Sequence, residues 1–338
     1  MSNYKLLSVH VMSRHGDRNP TRSYTHNSPV VPNAHLTERG AKRAFNVGQS
    51  LHDLYFKTGI IDNTLSDSHI QFRSTNYQRT IASMRSIIQA LAQCQNEDDP
   101  KLINLYKKIY VPEPKDDQIL LGQLCAEGTQ LIANSADQPR FRKLKRDSSA
   151  LLNTMFEAIH EKQNNGWYLA VIIDAVIVER ENGAPLLPSL DDSMMAQLRQ
   201  LRNDMFFSII PFSNPKYAEV ALVPFYREVF VQHFDEDNAA LSRGDTRVRY
   251  RHYLSHDLTM IGMLGFLGID LTARHPNYSA TVIFETYVSD DHINSPPYVL
   301  VHYCHTPPLE GPLTFEKQRF SLSDVLEKIK TLSSPSNK

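Results

Sequence analysis

Residues 6–20 have the sequence Leu-Leu-Ser-Val-His-Val-Met-Ser-Arg-His-Gly-Asp-Arg-Asn-Pro. Apolar and β-branched residues dominate its first half, and a polar segment with a glycine and a closing proline follows them. This pattern predicts a buried strand over about 6–12 that leads into a functional turn. His15 lies just beyond the predicted strand, with Arg14 before it and Arg18 after it.

The flanks of the chain alternate between strand and helix patterns. After the first strand, Thr37 is a helix cap for apolar residues that recur at helical spacing to about residue 56. A short strand at about 69–72 precedes a helix that Asn76 can cap. Near the other end, the pattern predicts strands at 249–254, 280–288 and 298–304 and helices at 258–267 and 322–332.

The middle of the chain, from about 101 to 245, shows mainly helical periodicity interrupted by prolines. Alternation at both ends around a helical middle predicts an α/β protein with a three-layer α/β/α core and a central, mostly parallel sheet. We expect residues 1–100 and 246–338 to form this catalytic core, and residues 101–245 to form a smaller inserted helical lobe that faces the substrate.

Three predicted strands end in polar residues that suit a phosphate group: Arg14-His15, then Arg73, then His256-Asp257. Ligands of open α/β sheets bind beyond the carboxyl ends of the strands, so these three ends can meet in one pocket. Guanidinium groups match the charged oxygens of a phosphoryl group in transfer. A neutral imidazole can attack phosphorus and form a covalent intermediate, and a carboxyl group can protonate the leaving oxygen. The residues favour His15 as nucleophile and Asp257 as proton donor.

Composition sets limits on the partners. The 36 basic and 37 acidic residues nearly balance, so no overall field draws the chain to nucleic acid. The longest apolar run, 169–178, is too short for a membrane span, so stable membrane insertion is not expected. Three cysteines exclude a disulfide framework and a four-thiolate zinc site. The expected partner is a small phosphomonoester, without cofactor or metal, and a homodimer stays open.

The start of the chain lacks the basic, apolar and cleavage regions of a signal peptide. As written, it predicts a cytoplasmic protein. A chain from which a signal peptide has been removed has the same appearance, and that chain would be secreted or lysosomal.

Segment 14–20 resembles the R-H-G-x-R-x-P signature of the histidine acid phosphatase family, the acid phosphatase and phytase branch of the histidine phosphatases. Five fixed positions arise by chance in such a chain with odds on the order of one in ten thousand. Residues 35–40, His-Leu-Thr-Glu-Arg-Gly, are similar to the family's Q-L-T-x-x-G turn. Residues 73–75, Arg-Ser-Thr, and 255–257, Ser-His-Asp, match two further family segments. The middle of the chain matches poorly.

The resemblance implies a phosphohistidine on His15, with Asp257 as proton donor and no metal. It implies phosphate binding by four residues: Arg14, Arg18, Arg73 and His256. Residues 72–95 and 253–287 are most similar to family members that hydrolyse lysophosphatidate, which favours an acid phosphatase active on such lipids. We expect activity to be highest below neutral pH, because Asp257 must be protonated to help the leaving group.

Two other functions call for the same phosphate-binding residues. A phytase or inositol-polyphosphate phosphatase needs further cations near the pocket, and the basic run 140–146 is the segment that offers them, although such a run is more often a solvated face. A pseudoenzyme that binds phosphorylated ligands needs to have lost a catalytic residue, and both His15 and Asp257 are present. The roles of Asp174, inside an apolar run, and of Arg79 stay open. A salt bridge that holds the fold is the simpler role for Arg79.

Overall fold

The computed structural model describes residues 4–25, 30–62, 65, 69–96, 98–162, 166, 168–187, 189–211, 214–271, 274–289 and 295–333. A seven-stranded sheet crosses this part of the chain in the order β3-β2-β4-β1-β5-β6-β7. The strands are β1 (Tyr4–Arg14), β2 (Ile70–Ser74), β3 (Ile109–Tyr110), β4 (Arg249–Ser255), β5 (Thr281–Ser289), β6 (Tyr298–Cys304) and β7 (Glu316–Ser321).

The predicted α/β fold is confirmed, and the sheet is mixed. Strands β3, β2, β4 and β1 pair in parallel, whereas β5, β6 and β7 continue the sheet from β1 in antiparallel fashion. Parallel pairing therefore holds for one half of the sheet, because short connections join β5, β6 and β7, and such connections suit antiparallel neighbours. β7 escaped prediction since its residues are mostly exposed and polar.

Helices account for most of the remaining elements. They are α1 (Glu38–Leu51), α2 (Gln78–Leu91), α3 (Pro100–Tyr106), α4 (Ala126–Ser135), α5 (Pro139–Asp147), α6 (Ser149–Ala158), α7 (Tyr168–Glu181), α8 (Asp192–Ile209), α9 (Pro215–Ala221), α10 (Val223–Arg227), α11 (His233–Ser242), α12 (Asp257–Leu267) and α13 (Leu322–Ser333). Short π-helical turns cover His52–Phe56 and Glu228–Gln232, and a 3₁₀ turn covers Gly122–Leu124. None of the described helices is long and apolar enough to span a bilayer.

Successive residues of the strands face opposite sides of the sheet, which gives the molecule three layers. In β1, Val9 and Val11 join a hydrophobic cluster with α1, α2 and α3 on one face. Met12 of the same strand belongs to the cluster on the other face, which contains the helices from α4 to α13. Helices from the 101–245 region thus share one hydrophobic cluster with β5 and β6. A separate lobe in that region stays a prediction.

Local signals decide the ends of two helices near the site. Thr37 caps α1 as predicted, since its hydroxyl oxygen accepts a hydrogen bond from the Gly40 amide at 3.1 Å. Asn76 does not cap α2: Tyr77 is the residue before that helix, and no side chain there bonds the free amides. The open first turn of α2 carries Arg79.

Candidate active site

The three strands with the predicted polar ends are neighbours in the sheet. β4 lies between β2 and β1, and all three run parallel. Arg14 is level with Ser255, and Ser74 is level with Leu254, so the strands end side by side. The residues that follow them remain tied to β4, because the amides of His15 and Thr75 donate to the carbonyls of Ser255 and Leu254. The predicted meeting of strand ends is present.

A cavity of about 190 Å³ opens at this edge. It is lined by Arg14, His15, Arg18, Tyr77, Arg79, Gln123, Leu124, Val171, Asp174, Phe206, His256, Asp257 and Leu258. Five of the six residues predicted for phosphate chemistry are therefore together here. Arg73 is the exception.

His15 is buried with a defined tautomer. Its Nδ1 lies 2.8 Å from the carbonyl oxygen of Gly16, which can only accept, so Nδ1 carries the proton. The other nitrogen, Nε2, then keeps a free lone pair. Burial lowers the pKa of His15 well below its usual value, and the positive charges of Arg79 and Arg14 lower it further. These features favour a neutral imidazole whose Nε2 lone pair is available.

Arg14 and Arg18 bind different carboxylates. Arg14 Nη2 lies 2.7 Å from Asp257 Oδ2, and its Nη1 donates to the carbonyl of Pro276. Arg18 Nη2 lies 2.6 Å from Asp174 Oδ2. Both guanidinium groups are buried and held in place, as required for groups that receive a charged ligand without first reorganising.

Arg79, for which a structural salt bridge was the simpler expectation, supplies the third guanidinium group of the cavity. It lies over the ring of Tyr77, 4.7 Å from the ring centroid, and its Nη2 donates to His256 Nδ1 at 3.4 Å. Burial lowers its pKa to about 10, and the nearby Arg18 charge acts in the same direction. A desolvated cation among other cations favours an anionic ligand.

Arg73 does not line this cavity. Its guanidinium group contacts Asp117 at 2.7 Å and Glu228 at 3.4 Å, and it lines a separate cavity of about 380 Å³ over β2 and β4. Alternation along β2 explains the difference. Arg73 immediately precedes Ser74, the last residue of the strand, so the two side chains point to opposite faces of the sheet. Arg79 was detectable as the first-turn cation of the helix that follows β2.

His256 and the residues around it fix one wall. With Nδ1 accepting from Arg79, Nε2–H donates to Thr75 Oγ1 at 3.1 Å, and the Thr75 hydroxyl donates onward to Thr80. The ring lies edge-on to His15, with 5.4 Å between centroids. Burial, followed by the charge of Arg79, lowers the pKa of His256 to about 3. The ring is therefore neutral while no ligand is bound.

Asp257 is the first residue of α12. Its Oδ1 accepts from the Leu258 amide at 2.8 Å, and its Oδ2 contacts Arg14. Burial by itself raises the pKa of Asp257, but the Arg14 charge and the amide hydrogen bond outweigh burial and hold it below the usual range. Protonation of Asp257 thus requires that Arg14 be drawn away.

Asp174 brings a residue of α7 into the site. Its two oxygens bind Arg18 at 2.6 Å and Arg202 of α8 at 3.1 Å. Asp174, whose role the sequence left open, lines the cavity, and its carboxylate orients an arginine. Arg202 had no sequence signal, because its contact with residue 174 depends on how α7 and α8 pack.

The lining of the cavity also includes four apolar side chains, Leu124, Val171, Phe206 and Leu258, and Leu124 is 49% exposed. The basic run 140–146 forms α5, and Arg140 lines a different cavity beside Phe207. Among the described residues, no three His, Cys, Asp or Glu side chains group as metal ligands.

A model of the histidine phosphatase superfamily, branch 2, matches residues 26–166. Bovine lysosomal acid phosphatase is 22% identical over 294 residues, which is 84% of this chain and 68% of that protein. Human lysophosphatidic acid phosphatase type 6 is 23% identical over 273 residues, 80% of this chain and 60% of that protein. Over these residues the chain is similar to the histidine phosphatase superfamily, branch 2. The curated relatives that it matches are phosphatases.

Solved structures of two phosphatases share the fold of this chain. The phytase of Hafnia alvei superimposes with a TM-score of 0.67 over 98% of both chains at 15% identity. The multiple inositol polyphosphate phosphatase of Bifidobacterium longum gives 0.62 over 96% of this chain and 91% of that one at 11% identity. The matched region 26–166 leaves out both His15 and Asp257. The roles of these two residues therefore depend on the geometry of the cavity.

Proposed function

We propose that this histidine phosphatase hydrolyses phosphate monoesters through a phosphohistidine on His15. Nε2 of His15 attacks phosphorus, the bond to the ester oxygen breaks, and Asp257 gives its proton to the leaving alcohol. Water then attacks the phosphohistidine and gives a proton back to Asp257, which releases inorganic phosphate and restores the imidazole. Arg14, Arg18 and Arg79 neutralise the oxygens of the phosphoryl group in both steps.

The hydrogen bond between His15 Nδ1 and the Gly16 carbonyl is the observation that carries this proposal. It removes one of the two ring nitrogens from the reaction and leaves Nε2 as the nucleophile. Three guanidinium groups line the same cavity, so a phosphate bound between them has its phosphorus beside that nitrogen.

Arg14 couples binding of the ester to the proton on Asp257. Arg14 contacts Asp257 and keeps the pKa of this carboxyl group low. A phosphate dianion competes for the same guanidinium group and adds a negative charge nearby, and both changes raise the pKa of Asp257. We infer that substrate binding protonates Asp257, and that this step makes hydrolysis fastest below neutral pH.

The apolar side of the cavity favours esters with one phosphate and an uncharged, apolar leaving group. Lysophosphatidate and aryl phosphates fit this description, and a lysophosphatidic acid phosphatase is among the relatives. Four apolar side chains are among the residues that line the cavity: Leu124, Val171, Phe206 and Leu258. Such side chains bind hydrocarbon by burying apolar surface.

A phytase is the second candidate, supported by the fold shared with bacterial phytases. Binding of several phosphates calls for cations around the whole substrate. In α5, Lys143 pairs with Asp147, and Arg142 and Arg146 contact acids of the same region. These pairs, and the fact that no α5 residue is among the residues that line the cavity, favour the single-phosphate substrate.

Replacement of Asp257 tests the proton donor. Asp257→Asn is expected to slow hydrolysis of alkyl phosphates such as lysophosphatidate by roughly a thousandfold, and of p-nitrophenyl phosphate by about tenfold, since nitrophenolate leaves without a proton. Asp17→Asn is the control, because Asp17 pairs with Arg43 outside the cavity and its loss leaves the alkyl-to-aryl ratio unchanged. Equal losses on both ester types in Asp257→Asn contradict the assignment.

A panel of esters tests the substrate class and the binding-only alternative. We expect lysophosphatidate to exceed phytate and sugar phosphates in kcat/KM at the same pH. Preference for phytate assigns the protein to the second candidate. Phosphate binding without turnover of any ester identifies a pseudoenzyme.

A further inference from the structure

Arg73 joins three segments of the chain, although it is outside the active cavity. Its Nη2 contacts Asp117 Oδ1 at 2.7 Å, its Nη1 contacts Glu228 Oε2 at 3.4 Å, and its guanidinium plane lies 5.2 Å from the ring centroid of Tyr110. The Asp117 side chain is completely buried. A buried carboxylate depends strongly on its cationic partner, because it is otherwise an uncompensated charge.

Asp117 also shapes the turn that leads to the cavity. The same oxygen that binds Arg73 accepts from the Leu120 amide at 3.2 Å, and the Asp117 carbonyl accepts from the Leu121 amide at 2.9 Å. This turn continues into the 3₁₀ segment Gly122–Leu124. Two residues of that segment, Gln123 and Leu124, line the active cavity, and we call them the Gln123–Leu124 wall.

The wall is also tied to the helix that carries Asp257. Gln123 Nε2 donates to Thr259 Oγ1 at 2.9 Å, and Thr259 Oγ1 donates to the Leu120 carbonyl at 3.0 Å. The turn therefore lies between two anchors, Arg73 at its start and Thr259 of α12 at its end. A shift at the first anchor moves the wall relative to the phosphate end of the cavity.

The two partners of the Arg73–Asp117 pair differ in how firmly the backbone holds them. β2 pairs on both sides, with β3 and with β4, so Arg73 belongs to a fixed strand. Residues 117–124 belong to none of the described strands. Loss of the ion pair is thus expected to displace the turn and not the strand.

We infer that Arg73 is a positioning residue that acts through Asp117 to hold the Gln123–Leu124 wall against the leaving-group side of the cavity. The inference rests on the proposed function in that it takes this cavity as the active site. Its consequence is specific: Arg73 affects ligands that extend beyond the phosphate, and leaves the affinity for phosphate itself unchanged.

Equilibrium binding of two probes to the whole chain tests the inference. Inorganic phosphate occupies the arginine end alone, and benzylphosphonate extends to the apolar side and is not hydrolysed. By calorimetric titration, Arg73→Met is expected to weaken benzylphosphonate binding about tenfold and phosphate binding by less than about twofold. Asp117→Asn is expected to give the same pattern, and the double variant no further loss, because both substitutions remove one interaction.

Arg251 provides a matched control. Arg251 belongs to the neighbouring strand β4 and forms a bidentate pair with the buried Asp237, with distances of 2.6 and 2.8 Å. Neither residue lines the active cavity. Arg251→Met is expected to lower Tm and leave both affinities unchanged. Arg73→Lys, which keeps a cation for Asp117, is expected to restore benzylphosphonate affinity to within about threefold of the parent chain.

Either of two results overturns the inference. Folded Arg73→Met or Asp117→Asn with parent affinity for both probes shows that the pair serves stability alone, whereas equal weakening of both probes shows that it acts on the phosphate end. If Arg73→Met does not fold, Asp117→Asn is the deciding variant, because the side-chain oxygen of the new asparagine still accepts a hydrogen bond from the Leu120 amide. Binding needs no turnover, so failure of the phosphohistidine mechanism is seen separately, as full activity of His15→Ala.

Discussion

Two features of its surroundings suit His15 to the proposed role of nucleophile. The Gly16 carbonyl fixes the proton on Nδ1, and burial beside arginines keeps the ring neutral at pH values where an exposed histidine is charged. In the proposed mechanism, the same arginines attract the phosphate whose phosphorus the ring attacks. One set of charges would then both lower the pKa of the nucleophile and bind the substrate.

Arg79 is the residue for which the structure predicts the largest loss of phosphate affinity outside the 14–18 segment. Removal of a buried, charge-assisted donor costs about 1.5–3 kcal/mol, which corresponds to roughly ten- to hundredfold weaker binding. Arg79→Ala is therefore expected to raise the inhibition constant of inorganic phosphate by that factor. Unchanged phosphate inhibition contradicts its role in the cavity. Arg85, on the same helix and over Tyr106, is the control position.

The sequence predicted those site residues that directly follow a strand. Arg14, His15, His256 and Asp257 were found because a strand pattern precedes them and parallel strand ends meet. The same rule led to Arg73, since the pattern does not show that the chain turns once more before Arg79. Asp174 and Arg202 come from α7 and α8, and no local pattern specifies how those helices meet the sheet.

At the scale of elements, α1 supports the loop that carries the nucleophile. Gly40, in its first turn, packs directly on that loop: a Cβ at this position lies 2.1 Å from the Asp17 carbonyl oxygen, and one at Gly16 lies 2.3 Å from the Gly40 oxygen. Thr37 adds a second tie, because its amide and hydroxyl donate to the same Asp17 oxygen. Gly16 of segment 14–20 and Gly40 of segment 35–40 therefore pack against each other.

Gly40→Ala is expected to displace residues 16–18 and to lower both stability and catalysis. Overpacking of this kind costs about 1–3 kcal/mol of unfolding free energy, measurable by urea denaturation. Displacement of Arg18 is expected to reduce kcat/KM about tenfold or more. Gly48→Ala is the matched control on the same helix, because its Cβ lies 2.5 Å from the Ile87 oxygen, away from the cavity. Gly48→Ala is expected to lower stability and to leave kcat/KM unchanged. Equal losses of kcat/KM in Gly40→Ala and Gly48→Ala contradict the role of Gly40.

At the scale of the whole molecule, buried neutral histidines make the folded protein less stable in acid. Burial lowers the pKa of His233, His252, His256 and His275 to about 3, and lowers those of His10 and His15 well below the usual value. Between about pH 6.5 and 3, the unfolded chain binds protons that the folded chain does not. Stability therefore falls as pH falls, although Glu228, whose pKa burial raises, opposes the trend.

The expected slope is about 1.4 kcal/mol per pH unit for each histidine that is neutral when folded and protonated when unfolded. Urea denaturation at several pH values between about 4 and 7 measures it. His252 contacts Ser13 and Tyr250 away from the cavity lining, so His252→Gln is expected to reduce the slope by about one histidine's share. Stability independent of pH across this range contradicts the neutral state of these side chains.

The phosphohistidine on His15 is tested most directly by trapping it. A phosphate-labelled aryl ester is mixed with the protein, turnover is stopped in alkali within milliseconds, and the labelled peptide is sequenced. We expect acid-labile, alkali-stable label on His15 of the parent chain, more of it in Asp257→Asn because that variant activates water poorly, and none in His15→Ala. Turnover with no label on the protein, or label on a residue other than His15, contradicts the mechanism.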